Sequence, residues 1–261
     1  MLFYLKVLSY AIKEHRVNEF IKLRTNKSLD KFKQKRKQEY FDKQTTIENA
    51  IDMMFSNVEM NTALIIPIHK SMDLFVESRK NMSYNTVENP YPIESALSKY
   101  ARTLLFYLTY FSKPAVVVET GTAYGFSSSY ILSAMQLNNK GRLISIDGLF
   151  LPWHSKEQIG AAIPEELKNR HKLIIQKDTE GLSQILDSEK SIDIFIHDSS
   201  HTYKHMMMEF IMTWSYIKEG GYLLSDDVSE NDAFLNFCDM MNKTPIIIPK
   251  ENNRHFGIVI K

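Results

Sequence analysis

Two short stretches of this chain concentrate groups that can move a proton or hold a cation. IHDSSHTYKH carries His197, Asp198, His201 and His205, and GGYLLSDDV carries Asp226 and Asp227. A hydroxyl is a poor nucleophile at neutral pH, so a transferase acting on one must take its proton or lower its pKa with a bound cation. The imidazole of His201, with Asp198 beside it, suits the first task. Asp198, Asp226 and Asp227 suit the second: three carboxylates brought together repel one another unless neutralised, and oxygen donors favour Mg2+. The same residues also suit helix starts, since aspartate is a favoured cap and His201 stands just before a helix that begins near Thr202. Both readings stay open. His197 either faces a ligand from a strand end or fills a polar niche. His205 reads as a surface residue, and Tyr203 and Trp214 as packing residues, Trp214 lying at helical steps from Phe210 and Ile217.

A second set lies upstream. The run AVVVE leads into Glu119, Thr120, Gly121, Thr122, Ala123, Tyr124 and Gly125, and a helical stretch beginning FSSSYIL follows. Gly121 and Gly125 let the backbone turn sharply and approach a ligand closely. The next apolar run ends on Asp147, whose carboxylate can accept both hydroxyls of a ribose. A dinucleotide fingerprint reads GxGxxG, whereas this loop reads GxxxG and is preceded by Glu119. A carboxylate there repels a pyrophosphate but suits the ammonium of a methionine moiety. The loop therefore favours S-adenosylmethionine and disfavours a nicotinamide-dependent oxidoreductase. A non-catalytic binding or assembly module on the same fold is the other alternative; the intact glycine loop and acidic strand ends argue against it.

The elements that must position these groups are legible as alternating runs. Ala115–Glu119, Arg142–Asp147, Lys172–Gln176, Ile192–His197 and Tyr222–Asp226 are short and aliphatic, and helical stretches separate them. That alternation predicts a Rossmann-like, doubly wound α/β fold with a mostly parallel sheet. Pro245–Ile248 and Phe256–Ile260 follow one helix and are expected to pair antiparallel at the sheet edge, completing seven strands. In such a sheet ligands bind beyond the carboxyl ends of the strands, where both residue sets above emerge. Ahead of the first strand, Ile93, Leu97, Ala101, Leu104, Leu105, Leu108 and Phe111 step along a helix that Pro114 stops.

With these residues in view, VVVETGTAYGFSS resembles the first motif of class I S-adenosylmethionine-dependent methyltransferases, and SIDG resembles their ribose-binding strand end. The resemblance implies cofactor roles for Glu119, Gly121, Thr122, Tyr124, Gly125, Ser127, Asp147, Gly148 and His197. Asp178, in QKDTEG, matches the position that contacts adenine, and it equally suits a helix N-cap. FIHDSSHTY and GGYLLSDDV are similar to the small-molecule O-methyltransferase subgroup of cephalosporin hydroxylase-like and macrocin O-methyltransferase-like proteins. That similarity implies metal ligation by Asp198, Asp226 and Asp227, catalysis by His201 and Asp198, and a small-molecule or saccharide hydroxyl as acceptor. The catechol-type pattern differs, with lysine where this chain has serine or histidine and asparagine where it has Asp227.

Composition bounds the rest. The 261 residues suffice for one α/β domain plus an extension. The expected division is an N-terminal helical extension over 1–89 and a cofactor-binding domain over 90–261. A single cysteine, Cys238, excludes an internal disulfide framework and cysteine-cluster metal sites, which suits a reducing, cytoplasmic setting. The net charge of +1 offers no general attraction to nucleic acid. Residues 1–45, however, hold 12 Lys/Arg against 5 Asp/Glu. Within them Leu5, Leu8, Ile12, Val17, Phe20 and Ile21 recur at helical spacing, and Lys27–Lys43 is densely basic. The bland expectation for the basic stretch is a solvated helix or linker; the sharper ones are peripheral contact with an anionic membrane surface or acidic partner, and packing against a second subunit. Thr45–Tyr84 reads as irregularly helical, with Met53, Met54 and Phe55 as packing residues.

Overall fold

The computed structural model describes residues 2–13, 17–93 and 98–261. Helices α1 (Leu2–Lys13), α2 (Val17–Lys33), α3 (Lys37–Asp42), α4 (Ile47–Met54) and α5 (Ile66–Arg79) precede α6 (Lys99–Ser112). The chain then alternates: β1 (Val116–Thr120), α7 (Phe126–Asn138), β2 (Arg142–Asp147), β3 (His171–Ile175), α8 (Asp178–Glu189), β4 (Ile192–His197), α9 (Tyr203–Trp214), β5 (Ile217–Ser225), α10 (Ala233–Met240), β6 (Ile246–Lys250) and β7 (Arg254–Ile260).

The seven strands form one sheet in the order β3-β2-β1-β4-β5-β7-β6. The first five are parallel, while β7 runs antiparallel to both β5 and β6. The last two strands thus pair antiparallel as expected, but only β6 is the edge; β7 inserts between it and β5. Gly257 permits that insertion, because a Cβ there would press on the ring of Phe234 from α10. Backbone around Gln44 and Thr45 covers the exposed side of β6, with Thr45 N–H donating to Ile247 at 2.8 Å. An edge so covered offers fewer free groups for unwanted pairing.

The aliphatic runs are explained by burial on both faces. Side chains alternate along a strand, so Val117 enters one core with α4, α5, α6 and α7, whereas Val116 and Val118 enter the other with α3, α8, α9 and α10. Ile47, Ala50, Ile51, Ile68 and Met72 belong to the first core and Tyr40 to the second. Met53 is exposed, while Met54 and Phe55 pack against the first core.

Helix α6 begins after Ser98, whose hydroxyl accepts from Ala101 N–H at 3.2 Å, and ends in left-handed Lys113 before Pro114. Leu97 and the side chains of Leu5, Leu8 and Phe20 lie outside the described residues. Helices α1 and α2 pack on each other, but Val7 and Ala11 are buried there while Ile12 and Ile21 are exposed. Part of the basic stretch is docked, Lys35 and Arg36 donating backbone N–H groups to Asp232 at 2.8 and 3.1 Å, while the side chains of Lys27, Lys31, Lys33 and Lys37 are exposed. Gln34 adds a bond to the Ser229 carbonyl at 2.8 Å.

Candidate active site

The turn after β1 is built on two glycines. Gly121 has φ +84°, and a Cβ there would overlap the backbone carbonyl of Asp198 at the end of β4. Gly125, also at φ +84°, opens α7, where a Cβ would meet Ile163. A larger residue at either place would be strained and obstructed. The loop is held by Asp147: one carboxylate oxygen accepts from Thr122 and Ala123 N–H at 2.8 and 2.7 Å. Burial pushes the Asp147 carboxyl up to about 6, against the opposing pull of those amides.

Beneath the loop Glu119 is buried and accepts from Ser127 at 3.2 Å, Ser145 at 2.8 Å and Ser128. Burial raises it to about 7, with the three hydroxyls working the other way. Glu119 and Ser127 therefore tie β1, β2 and α7 together below the loop. Tyr124 turns away from the strand ends: its hydroxyl donates to Asn89, and its ring packs against Phe75 and Tyr91. Gly148 follows Asp147 closely against Phe150, whose ring a Cβ would meet. Two buried polar atoms here have no partner, Thr122 Oγ1 and His197 Nε2. A turn kept open by two glycines, with the Asp147 carboxylate and unspent polar atoms beside it, fits S-adenosylmethionine by the chemistry of its polar groups.

The acidic strand ends do meet. Asp198, His201 and Asp226 bring one ligating atom each within 4.8 Å of one another. His201 lies between two carboxylates, Nε2 3.6 Å from Asp198 and Nδ1 3.8 Å from Asp227. Burial lowers the His201 pKa in spite of Asp226 and Asp227, while burial and the nearby Asp226 raise that of Asp198. Neither capping alternative is realised. Thr202 caps α9, its hydroxyl accepting from His205 N–H at 3.4 Å, and Asp227, at φ 47°, makes no side-chain cap bond.

The cation that neutralises the acidic pair is protein. Lys250 Nζ donates to Asp227 at 2.8 Å and to Asp226, and Arg254 Nη1 donates to Asp227 at 2.8 Å. Burial alone would raise Asp227, but Lys250, His201 and Arg254 outweigh it and hold the carboxyl below its usual range. The expected set of Asp198, Asp226 and Asp227 does not fit Mg2+: the adjacent pair is already bonded to ammonium and guanidinium. The remaining cluster substitutes an imidazole for an oxygen donor, contrary to that ion's preference.

His205 corrects its assignment to the surface. It is largely buried, with Nε2 3.0 Å from Glu209 and 3.6 Å from Asp178. Burial opposes its charge, yet the two carboxylates prevail and carry its pKa up to about 9. Fully buried Glu209 also accepts from Thr120 at 2.6 Å, His197 Nδ1 at 2.6 Å and Ser199 at 3.3 Å. Asp178 is the first residue of α8, whose N-cap position is Lys177, so it faces His205 instead of acting as the cap. Glu209 was absent from the sequence reading, although its position four residues after His205 on a helix was a usable signal. Lys250 and Arg254 had no comparable signal, because only the β6–β7 pairing brings them over β5.

The mostly parallel sheet in the order 3-2-1-4-5-7-6, with a glycine turn after β1 and an acidic end on β2, is a Rossmann-like α/β fold shared with solved methyltransferase structures. Residues 118–228 match the family model described as a methyltransferase domain. Among solved structures it is similar to the O-methyltransferase from Bacillus cereus in complex with S-adenosylhomocysteine, at 13% identity, TM-score 0.55, covering 85% of this chain and 100% of that one. It is also similar to the O-methyltransferase TomG from Streptomyces achromogenes, involved in tomaymycin synthesis and in complex with S-adenosylmethionine, at 16% identity, TM-score 0.51, covering 81% and 95%. A third is the S-adenosylhomocysteine-bound methyltransferase from Podospora anserina, at 13% identity, TM-score 0.51, covering 82% and 94%. No curated protein sequence matches the chain. Among the described residues no helix is long and apolar enough to cross a membrane.

Proposed function

We propose that the chain transfers a methyl group from S-adenosylmethionine to a hydroxyl of a small molecule or saccharide, with His201 as the base. The observation that carries this reading is the packing of Gly121 against Asp198, which joins the cofactor loop to the strand end bearing the base. When bound, the cofactor supplies a sulfonium methyl whose C–S bond breaks as the acceptor oxygen bonds to it, leaving the thioether. The protein's tasks are to orient and to deprotonate. Asp147 presents its carboxylate to the ribose hydroxyls, and Thr122 and His197 offer their unpartnered atoms to the cofactor. His201 takes the hydroxyl proton, with Asp227 3.8 Å from its Nδ1 to favour the imidazolium. His201 and Asp198 keep 13% and 22% side-chain exposure, while Asp227 keeps 7%, and His201 Nε2 has no hydrogen-bond partner among the described residues. Alignment of oxygen, methyl and sulfur can supply about 7–11 kcal/mol of the barrier.

Calorimetric titration with S-adenosylhomocysteine tests the cofactor half. Micromolar binding by the wild type that is lost in Asp147→Ala supports the reading. No heat in any condition moves the weight to a non-catalytic binding module.

A further inference from the structure

The β6–β7 hairpin ends in a ladder pair, Lys250 opposite Arg254, joined by the short turn Glu251–Asn253. Both cations of that pair reach over β5 to the adjacent carboxylates. The Lys250 side chain is 2% exposed, and two of its three N–H groups are spent on Asp226 and Asp227. Two acids thus face two bases in a closed arrangement, and Asp198 with His201 is left on its accessible side.

We propose that Lys250 is the built-in cation of this site: its ammonium bonds the adjacent acids Asp226 and Asp227 at the end of β5, two of the three carboxylates a divalent metal would need, so proton removal from the acceptor rests on His201. The inference deepens the methyltransferase reading and rests on it for the reaction, but the occupancy of the carboxylates by Lys250 stands on geometry alone. A buried ammonium bonded to both acids is held by charge-assisted hydrogen bonds and has no nearby solvent to move into. A divalent ion entering beside it would meet like charge in a poorly screened setting. Lys250 is a positioning residue, since it acts through Asp226 and Asp227.

The test is Mn2+ binding, followed by the loss of the free-ion electron paramagnetic resonance signal. The probes are wild type, Lys250→Met, Lys250→Arg and Asp226→Asn, each checked for folding by circular dichroism. Wild type and Lys250→Arg are expected to leave the signal at its free-ion value up to millimolar protein. Lys250→Met is expected to bind one Mn2+ per chain at least about tenfold more tightly, a gain that a merely structural lysine would not produce. One Mn2+ bound by wild type and lost in Asp226→Asn overturns the proposal, as does a folded Lys250→Met that gains no affinity. If Lys250→Met does not fold, wild type and Asp226→Asn decide: absence of any Mn2+ binding that Asp226→Asn abolishes sustains the proposal, and stoichiometric binding that Asp226→Asn abolishes overturns it. Absence of S-adenosylhomocysteine binding, measured separately, defeats the methyltransferase reading while leaving the Mn2+ result to judge the lysine.

Discussion

The backbone carbonyl of Asp198 fills the space that a Cβ on Gly121 would need, so the turn that follows β1 and the end of β4 are fitted directly to each other. Gly121→Ala adds a clash with rigid backbone to the strain of a positive φ, which alone costs about 1–3 kcal/mol. The expected outcome is a melting temperature lowered by at least about 4 °C, at roughly 2–4 °C per kcal/mol, together with loss of S-adenosylhomocysteine binding. A variant that binds as wild type does would show that the turn is not shaped by this contact.

Cofactor binding should depend on the ionisation of Asp147. Its carboxyl is pushed up to about 6 by burial, so below that pH it is protonated and is a weaker acceptor for ribose hydroxyls. Affinity for S-adenosylhomocysteine should therefore strengthen as pH rises through about 6. Asp147→Asn should bind weakly at every pH, and isothermal titration between pH 5 and 8 reads the difference.

Glu119 makes a distinct prediction about stability. Its folded pKa of about 7 exceeds the ordinary value of 4.5, so between these values the folded state holds a proton that the unfolded state has released. Stability should fall as pH rises through that window, by up to a few kcal/mol from this group. Thermal melts of Glu119→Gln should show a flatter profile there than wild type.

His205 acts in a higher window. Its folded pKa of about 9 lies above the ordinary 6.5, so its stabilising contribution is complete below 6.5 and is lost as pH rises through 9. His205→Ala should remove that dependence. It should also lower the melting temperature at pH 6, because Glu209 and Asp178 lose a charged partner in the interior. Breaking such a pair costs about 3–5 kcal/mol when the remaining charge stays buried. An unchanged profile would mean that the imidazole is neutral in the folded protein.

Truncations should separate the two parts of the N-terminal region. Removing residues 1–33 keeps the Lys35 and Arg36 bonds to Asp232 and keeps Tyr40, which is fully buried and donates to the Asn231 carbonyl at 3.1 Å. Removing residues 1–45 takes all of these, and Thr45 from the β6 edge as well. The shorter deletion loses the bond that Tyr203 N–H donates to Asp30 at 2.8 Å and the packing of α2 on α9, so the longer deletion should melt lower than the shorter by several degrees.

The sequence by itself determined the sheet and the places where chemistry collects. Strands buried on both faces need unbroken aliphatic runs, and a backbone that turns sharply beside another strand needs glycine; both demands are local and leave local marks. Glu119, Asp147, Asp198, Asp226 and Asp227 were therefore legible as strand-end acids. Their partners were not. Lys250 and Arg254 come from a hairpin whose second strand inserts between β5 and β6, and spacing along the chain carries no trace of that insertion. The need for a cation near Asp226 and Asp227 followed from electrostatics, but its identity as an ammonium was decided by tertiary pairing. His205, read as a surface residue, had the same fate: Glu209 stands one turn along its own helix, but only the packing of α9 against α8 and β4 put Asp178 and His197 beside it. Local sequence records what a residue's own backbone requires, whereas charge compensation is settled by whichever distant side chain the fold brings within reach.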